Sequence, residues 1–361
     1  MKNNFLDGKV LYLVPTGAHK TKYFDLFLEQ LSSYNPNIWI LPTEMGRDLL
    51  PNYEALSLKY HIKCDFSKSN NLIVPEEDIV VVAPCTFNTM NKIARGIADN
   101  YPLSVIHNAL GKGVKCIIAP AMDASLWNNF ALQESLRILQ SQKNVQVIFP
   151  EYIYDDEGNL VKTTMAPYEK IVDSILHCYT KIKYENICDG PIPESILEAY
   201  FNEFAENGKK LCDDGYLSNV AGFLAKRIPE GYLVTATGAQ VGALNKEDIV
   251  LIVKVDNRVV HWCGTKCPTS EFPLVYELFS EFKNVDVIVH GHCRDITYSR
   301  FNKKYLSSCY LKYGEWNESL HINPILYEYG KAIMKLHGEI VLANSFPAAY
   351  NSYKEMRYEQ H

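Results

Sequence analysis

The chain has 361 residues, of which 47% are hydrophobic and 22% are charged, and its formal net charge is −6. This length exceeds what one hydrophobic core usually serves, so we expect two globular domains. The mild charge is spread along the chain, and no basic tract is long enough to bind nucleic acid or an anionic membrane. No apolar segment approaches the roughly 20 residues that cross a bilayer, and residues 1–8 lack the pattern of a signal peptide. These features predict a cytoplasmic protein with neither a nucleic-acid nor a membrane partner.

Strands and helices alternate through the first half of the chain. The predicted strands cover residues 9–14, 37–41, 78–83, 114–118 and 145–149. The predicted helices cover residues 22–31, 89–98, a further segment through Leu110, and residues 167–182. This alternation predicts an α/β domain over residues 1–184, with a doubly wound parallel sheet that is covered by helices on both faces. Ligands of such sheets bind at the carboxyl ends of the strands.

Short polar motifs follow several of these strands. Thr16 and Gly17 form a turn into a helix whose free N–H groups favour a phosphate, and Thr43 offers a hydroxyl at the next strand end. Asn88 and Thr89 open another helix, where they either cap the helix or hold a cofactor. These motifs predict an anion-binding edge of the sheet.

Two longer motifs resemble the flavoprotein family that includes phosphopantothenoylcysteine decarboxylases and peptidyl-cysteine decarboxylases. They run from Ala83 to Asn100 and from Ala119 to Trp127. The resemblance covers roughly residues 5–182 and implies a doubly wound fold that binds FMN at the strand ends. The implied cofactor-binding residues are Thr16, Gly17, Thr43, Pro84, Asn88, Thr89, Met122 and Asp123.

The sequence departs from that family at its catalytic positions. Asp123 replaces an asparagine, residues 67–71 contain no histidine where the family has one, and residues 154–165, in the place of the substrate flap, contain no cysteine. We therefore do not expect decarboxylation of a cysteine adduct; the flavin fold is retained either with altered chemistry or for assembly only. His61 is the remaining candidate for a catalytic histidine, although a lone histidine in a polar segment is more often a solvated surface residue.

The second half is predicted to begin after a linker at residues 185–193, where glycine and prolines break the periodicity. Residues 194–361 form the second domain, with a helix at 195–212 and strands at 232–235, 249–255 and 285–289. The ten cysteines show no disulfide framework. Cys263 and Cys267 form a single close pair, which by itself does not make a structural zinc site.

The apolar strand at residues 285–289 leads into His290-Gly291-His292. Alternate residues of a strand point to the same face, so His290 and His292 are placed to reach one ion. Neutral imidazoles suit zinc, and three histidines leave a fourth position open for water or a substrate oxygen, which is the catalytic pattern. Any single histidine is more often a hydrogen-bonded core residue than a ligand.

Five motifs of the second half resemble, in their order, the class II aldolase and adducin family. They are Ser218–Ala221, Thr235–Gly238, Pro268–Glu271, His290–His292 and His337-Gly338. The resemblance implies an α/β aldolase-type domain in which zinc or another divalent metal is held by His290, His292 and His337, with Glu271 as the proton-transfer group. It also implies a phosphate pocket made of Asn219, Thr237, Gly238, Thr269 and Ser270.

Two details of this resemblance leave alternatives open. Ser218 stands where the family usually has glycine, and Ala221 stands where it usually has serine, which removes one hydroxyl from the phosphate pocket. Tyr310 lies near the position where the family's aldolases place a tyrosine proton donor that reaches a neighbouring subunit's site, and Tyr313 is an equal rival for that role.

Together, these observations predict an FMN-binding domain joined to a zinc-dependent carbon–carbon lyase. The lyase would act through an enediolate on a small, phosphorylated hydroxycarbonyl compound. Epimerisation, dehydration and decarboxylation pass through the same enediolate and remain alternatives. A non-catalytic assembly protein of the adducin type is another alternative, and a homo-oligomer is expected from both families.

Overall fold

The computed structural model describes residues 5–66, 74–218 and 221–358. The chain divides into two compact units, Met1–Thr180 and Lys181–His361. Each unit has its own cluster of buried hydrophobic side chains. Among the described residues, no helix is both long enough and apolar enough to cross a membrane.

A six-stranded parallel sheet forms the centre of the first unit. Its strands are β1 (Val10–Leu13), β2 (Asn37–Ile40), β3 (His61–Ile62), β4 (Ile79–Cys85), β5 (Lys115–Pro120) and β6 (Val145–Val147). They lie in the order β3-β2-β1-β4-β5-β6. Every residue of β4 is buried, as expected for a parallel sheet with helices on both faces. This topology confirms the predicted doubly wound fold.

Eight α-helices, one 3-10 helix (His19–Tyr23) and one hairpin complete the described part of this unit. The helices are α1 (Phe24–Ser32), α2 (Glu44–Leu49), α3 (Tyr53–Lys59), α4 (Phe87–Ala94), α5 (Tyr101–Gly111), α6 (Ala124–Trp127), α7 (Phe130–Gln140) and α8 (Tyr168–Leu176). The antiparallel hairpin consists of β7 (Glu151–Tyr154) and β8 (Leu160–Thr164). Helix α4 ends earlier than the predicted residue 98, because Gly96 adopts a left-handed φ of 72° and terminates the helix.

The strand order of this sheet reverses between β1 and β4, which is its topological switch point. Thr16 connects the loops that follow these two strands. Its hydroxyl donates a hydrogen bond to the Pro84 carbonyl at 2.8 Å and accepts one from the Thr86 backbone N–H at 3.0 Å. Because Thr16 is fully buried, it fixes the floor of the switch point.

The second unit contains an eight-stranded sheet. Its strands are β9 (Asn186–Gly190), β10 (Phe223–Ile228), β11 (Gly231–Thr235), β12 (Ile249–Asp256), β13 (Val259–Cys263), β14 (Val287–Gly291), β15 (Lys331–Met334) and β16 (Gly338–Ala343). They lie in the order β15-β16-β14-β10-β11-β12-β13-β9, and all neighbours are antiparallel except β13 and β9. The helices are α9 (Glu194–Asp213), α10 (Phe272–Glu281), α11 (Arg294–Thr297), α12 (Asn323–Tyr329) and α13 (Phe346–Tyr358).

Residues 185–193, which the sequence assigned to a linker, instead contribute β9 to the edge of this sheet. The Trp262 indole N–H donates a hydrogen bond to Asn186 Oδ1 at 3.1 Å and ties β9 to β13. This edge strand is short and mostly polar, so it has no apolar alternation to reveal it in the sequence. The second unit accordingly begins at Lys181 rather than at residue 194.

Replacing Thr16 with valine tests the connection at the switch point. Thr16→Val keeps the shape of the side chain, but the Thr86 N–H loses its acceptor, and we expect the free energy of unfolding of the first unit to fall by about 1–3 kcal/mol. Thr16→Ser retains the hydroxyl and should cost clearly less. Urea unfolding, followed through the fluorescence of Trp39 and Trp127, measures both variants. Equal destabilisation by both would contradict a role for the hydroxyl.

Candidate functional site

Three imidazoles and one carboxylate converge beside β14 in the second unit. One donor atom each of Glu271, His290, His292 and His337 lies within 4.8 Å of all the others. The Nε2 atoms of His290 and His292 are 3.0 Å apart, and Glu271 Oε1 lies 3.2 Å from His337 Nε2 and 3.4 Å from His290 Nε2. Tetrahedral zinc with bonds of about 2.0–2.1 Å requires donors roughly 3.3 Å apart. The donor set therefore fits one tetrahedral ion.

Two glycines allow the histidines to come this close. His290 is fully buried in β14, and His337 lies in the turn between β15 and β16. A Cβ atom on Gly338 would stand 2.0 Å from the Gly291 carbonyl oxygen and 2.9 Å from His290 Cε1. A Cβ atom on Gly291 would stand 2.4 Å from a carboxylate oxygen of Glu339. The glycines in the two histidine motifs are thus required by the packing of β14 against β16.

A hydrogen bond to the backbone of Glu339 fixes the orientation of the His290 ring. Its Nδ1 lies 2.8 Å from the backbone carbonyl of Glu339, so the Nδ1–H donates to that oxygen. The opposite nitrogen, Nε2, then points to the cluster with its lone pair available. This arrangement is the usual support of a histidine that binds a metal.

The carboxyl group and the imidazoles of the cluster shift one another's pKa values. Burial raises the pKa of the Glu271 carboxyl, but the neighbouring His337 and His290 outweigh burial and hold that pKa well below its usual range. Burial lowers the pKa of His290, but the Glu271 carboxylate outweighs this effect and raises it. Glu271 is therefore a carboxylate that faces the imidazole nitrogens.

Glu339 is a buried carboxyl group behind the cluster, and the sequence analysis did not identify it. It accepts hydrogen bonds from the Cys293 backbone N–H at 3.1 Å and from the Thr297 hydroxyl at 2.8 Å. Burial raises its pKa to about 7, despite these hydrogen bonds. In the sequence, Glu339 could have been recognised as a charged residue that stands directly before the apolar run Ile340–Leu342.

Four of the five residues of the predicted phosphate pocket lie on two loops that are joined by backbone hydrogen bonds. The Thr237 N–H donates to the Cys267 carbonyl at 3.0 Å, and the Thr269 N–H donates to the Thr235 carbonyl at 3.1 Å. Gly238 has a left-handed φ of 73°. Ser270 follows Thr269 on the second loop, whereas Asn219 lies outside the described residues.

The two candidate tyrosines differ in their surroundings. The ring of Tyr310 lies beside the ring of His337, with 6.4 Å between their centroids. The ring of Tyr313 instead packs against the ammonium group of Lys183, at 4.1 Å from the ring centroid. Tyr310 is therefore the tyrosine next to the histidine cluster within this chain.

Among the described residues, the histidine cluster is the only group of three or more metal-ligating side chains that meet in this way. Cys263 and Cys267 do not take part in such a group. His61 lies in β3 of the first unit, where its ring stacks on Trp39 at 4.5 Å between centroids.

A cavity of about 1240 Å³ opens in the first unit, next to the switch point. The predicted cofactor residues that line it are Gly17, Thr43, Asn88, Thr89, Met122 and Asp123. Thr16 and Pro84 lie beneath it, joined by the hydrogen bond between the ends of β1 and β4. His61 does not line this cavity.

Several lining residues were not identified from the sequence. The cationic side chains of Lys20, Lys92 and Lys162 line the cavity. Strand β8 also closes against it, because the Thr163 hydroxyl donates a hydrogen bond to the Met122 carbonyl at 2.5 Å. No periodicity marks these residues, since they meet only when the hairpin folds over the loop after β5.

Comparisons with known proteins also separate the two halves. Residues 3–180 match the family model named Flavoprotein, and residues 202–358 match the family model Class II Aldolase and Adducin N-terminal domain. Both resemblances that the motifs indicated are confirmed. The chain therefore combines a flavoprotein-like region with a class II aldolase-like region, each of a family type that includes enzymes.

Individual relatives each cover only part of this chain. A Dictyostelium discoideum protein named as a phosphopantothenoylcysteine decarboxylase is 29% identical over 46% of this chain and 91% of its own length. A phosphopantothenoylcysteine decarboxylase subunit of Saccharomyces cerevisiae is 33% identical over 27% of this chain, which spans only 18% of that relative. The solved structure of L-fuculose 1-phosphate aldolase is 20% identical, with a TM-score of 0.38, over 44% of this chain and 82% of that chain.

Removal of the Glu339 carboxyl group should destabilise the second unit. Glu339→Ala leaves the Cys293 N–H and the Thr297 hydroxyl without their acceptor and opens a cavity, so we expect a loss of about 2–4 kcal/mol in the free energy of unfolding. Glu339→Gln keeps an acceptor oxygen and should lose less than half as much. Urea unfolding followed through Trp262 fluorescence compares the two; a glutamine variant as unstable as the alanine variant would contradict this account.

Proposed function

We propose that the second unit is a metal-dependent lyase of the aldolase type that cleaves or forms a carbon–carbon bond in a small phosphorylated hydroxycarbonyl compound. The observation that carries this proposal is the convergence of donor atoms from Glu271, His290, His292 and His337 within 4.8 Å. An assembly protein of the adducin type has no use for this donor set. Its presence favours catalysis.

In this proposal, His290, His292 and His337 hold a zinc ion or another divalent metal. When bound, such an ion supplies Lewis-acid polarisation of a hydroxyl and carbonyl pair on the substrate. Glu271 lies at hydrogen-bond distance from two of these histidines, in the place that a substrate oxygen would take. Once displaced, its carboxylate would accept, in the direction of bond formation, the proton from the substrate carbon that makes the new bond.

Other residues bind and orient the substrate. Tyr310, whose ring lies beside that of His337, is assigned as the donor of a proton to the acceptor carbonyl oxygen in the same direction. The proton taken up by Glu271 then restores the tyrosine hydroxyl through solvent, so that the two transfers balance. Hydroxyl, amide and backbone donors of Asn219 and the loops at 237–238 and 269–270 hold the substrate's phosphate. The whole protein is expected to be a homo-oligomer.

We also propose that the first unit binds FMN in the cavity beside its switch point. The cavity is large enough for a cofactor of this size, and it lies where doubly wound sheets bind their ligands. Lys20 and Lys162 line it and favour the anionic phosphate of the cofactor. FMN supplies redox chemistry when bound. Residues 154–165 contain no cysteine, so we do not extend the proposal to decarboxylation of a cysteine adduct.

Metal analysis tests the proposed lyase site. We expect about one zinc or other divalent ion per chain in the wild-type protein, and none in a variant that combines His290→Ala with His292→Ala, because one histidine and one carboxylate hold such an ion poorly. His321→Ala, at an exposed histidine, is the matched control and should retain the ion. Inductively coupled plasma mass spectrometry gives the stoichiometry. A wild-type protein that takes up no ion from a zinc solution would overturn the proposal.

Glu271→Gln separates metal binding from proton transfer. The three histidines remain, so the metal content should stay near that of the wild type. Turnover in a screen of sugar phosphates should fall by a factor of about 10²–10⁴, the usual contribution of a positioned acid or base. Unchanged turnover would remove Glu271 from the mechanism.

A flavin titration tests the cavity of the first unit. The protein should quench the fluorescence of added FMN and shift its visible absorption spectrum. Asn88→Ala removes a polar group that lines the cavity and should weaken binding roughly tenfold. Asn108→Ala, at an exposed position of α5, should have no effect. Protein that stays colourless after incubation with FMN would contradict the proposal.

A further inference from the structure

The first residues of the second unit lie against the loops of the predicted phosphate pocket. The hydroxyl of the buried Tyr184 donates a hydrogen bond to the Thr269 carbonyl at 2.8 Å. This contact holds the backbone of the entry segment, residues 181–184, next to the loop that carries Thr269 and Ser270.

Lys183 anchors the same segment. Its side chain is only 4% exposed, its ammonium lies 3.6 Å from a carboxylate oxygen of Glu315, and it also lies 4.1 Å from the ring centroid of Tyr313. A Cβ atom on Gly314 would stand 2.9 Å from the Ser270 carbonyl and 3.5 Å from Lys183 Cβ. Lys183 is therefore packed beside Gly314, which itself lies against the Ser270 carbonyl, and its charge is already compensated by Glu315.

Lys181 is placed differently. Its Nζ lies 3.5 Å from the point that a Cβ atom on Gly238 would occupy. The ammonium group is therefore next to Gly238, on the side where any other residue would carry its side chain. Lys181 is exposed. Within residues 5–66, 74–218 and 221–358, no carboxylate forms an ion pair with it. An uncompensated positive charge therefore stands at the loop that supplies Thr237 and Gly238.

We infer that Lys181 binds the anionic group of the substrate and selects phosphorylated compounds over their uncharged analogues. The inference rests on the proposed function, because it concerns the phosphate pocket of that site. The loops offer neutral donors, and Ala221 has no hydroxyl to add to them. An ammonium supplies a point charge to a dianion, which hydroxyls and backbone N–H groups do not.

This residue lies outside the region that resembles known proteins of the second family. The match to the class II aldolase model begins at residue 202, whereas the segment that positions Lys181 covers residues 181–184. Specificity for a charged substrate would thus come from a part of the chain that precedes the shared fold.

Binding of inorganic phosphate to the full-length, zinc-loaded protein tests the inference. FMN is present throughout, so that the cavity of the first unit does not contribute. Isothermal titration should show that Lys181→Met weakens phosphate binding roughly tenfold and that Lys181→Arg stays within about threefold of the wild type. Lys254→Met, at an exposed lysine of β12, is the control and should bind as the wild type does. Thr237→Val serves as the variant of the pocket itself.

The possible results distinguish failure of the role of Lys181 from failure of the proposed phosphate pocket. If Thr237→Val weakens binding and Lys181→Met does not, the pocket stands and the role of Lys181 is overturned. If neither variant has an effect, or if the wild type binds no phosphate, the pocket and the inference both fail. Loss in both single variants, with a smaller than additive loss in the double variant, supports a shared ligand. Turnover does not enter these measurements, and the metal content of each sample is measured independently, so failure of the lyase proposal is recognised separately.

Discussion

The close approach of β14 to the turn between β15 and β16 is the constraint on which the candidate metal centre depends. A side chain at Gly338 would collide with the Gly291 carbonyl, and a side chain at Gly291 would collide with the Glu339 carboxyl group. Because the two strands meet there without side chains between them, His290 and His337 come within reach of one another. Glu271 then enters from a separate loop, before α10, and completes the donor set. The convergence of donor atoms at this candidate site thus depends on backbone packing as much as on the histidines.

The same arrangement explains why a buried carboxyl group is tolerated behind the cluster. The carboxyl group of Glu339 accepts hydrogen bonds from the Cys293 N–H, directly before α11, and from the hydroxyl of Thr297, the last residue of α11. The backbone carbonyl of Glu339 meanwhile orients His290. Glu339, in β16, therefore contacts the segment after β14 and also fixes the tautomer of the candidate ligand His290. The residues that support the candidate ligands are therefore as restricted in side-chain type as the ligands themselves.

Sequence reasoning succeeded where local patterns carry the information. The apolar run before His290 predicted a strand, and the alternation of strands and helices in the first half predicted its parallel sheet. It failed where position depends on pairing with distant segments. Strand β9 is polar and lies at an edge, so nothing local distinguishes it from a linker. The place of Lys181 beside Gly238 depends on a loop more than fifty residues away along the chain, which no local pattern records.

The edge strand has a consequence for how the second unit can be handled as a separate protein. Strand β9 covers one side of β13, which otherwise would present unpaired N–H and carbonyl groups to solvent. A fragment trimmed to the region that matches the aldolase family would lose this cover together with the Trp262 hydrogen bond to Asn186. The bare edge would be a template for pairing with another copy of the same edge. Self-association of such a fragment would then arise from the cut rather than from the native protein.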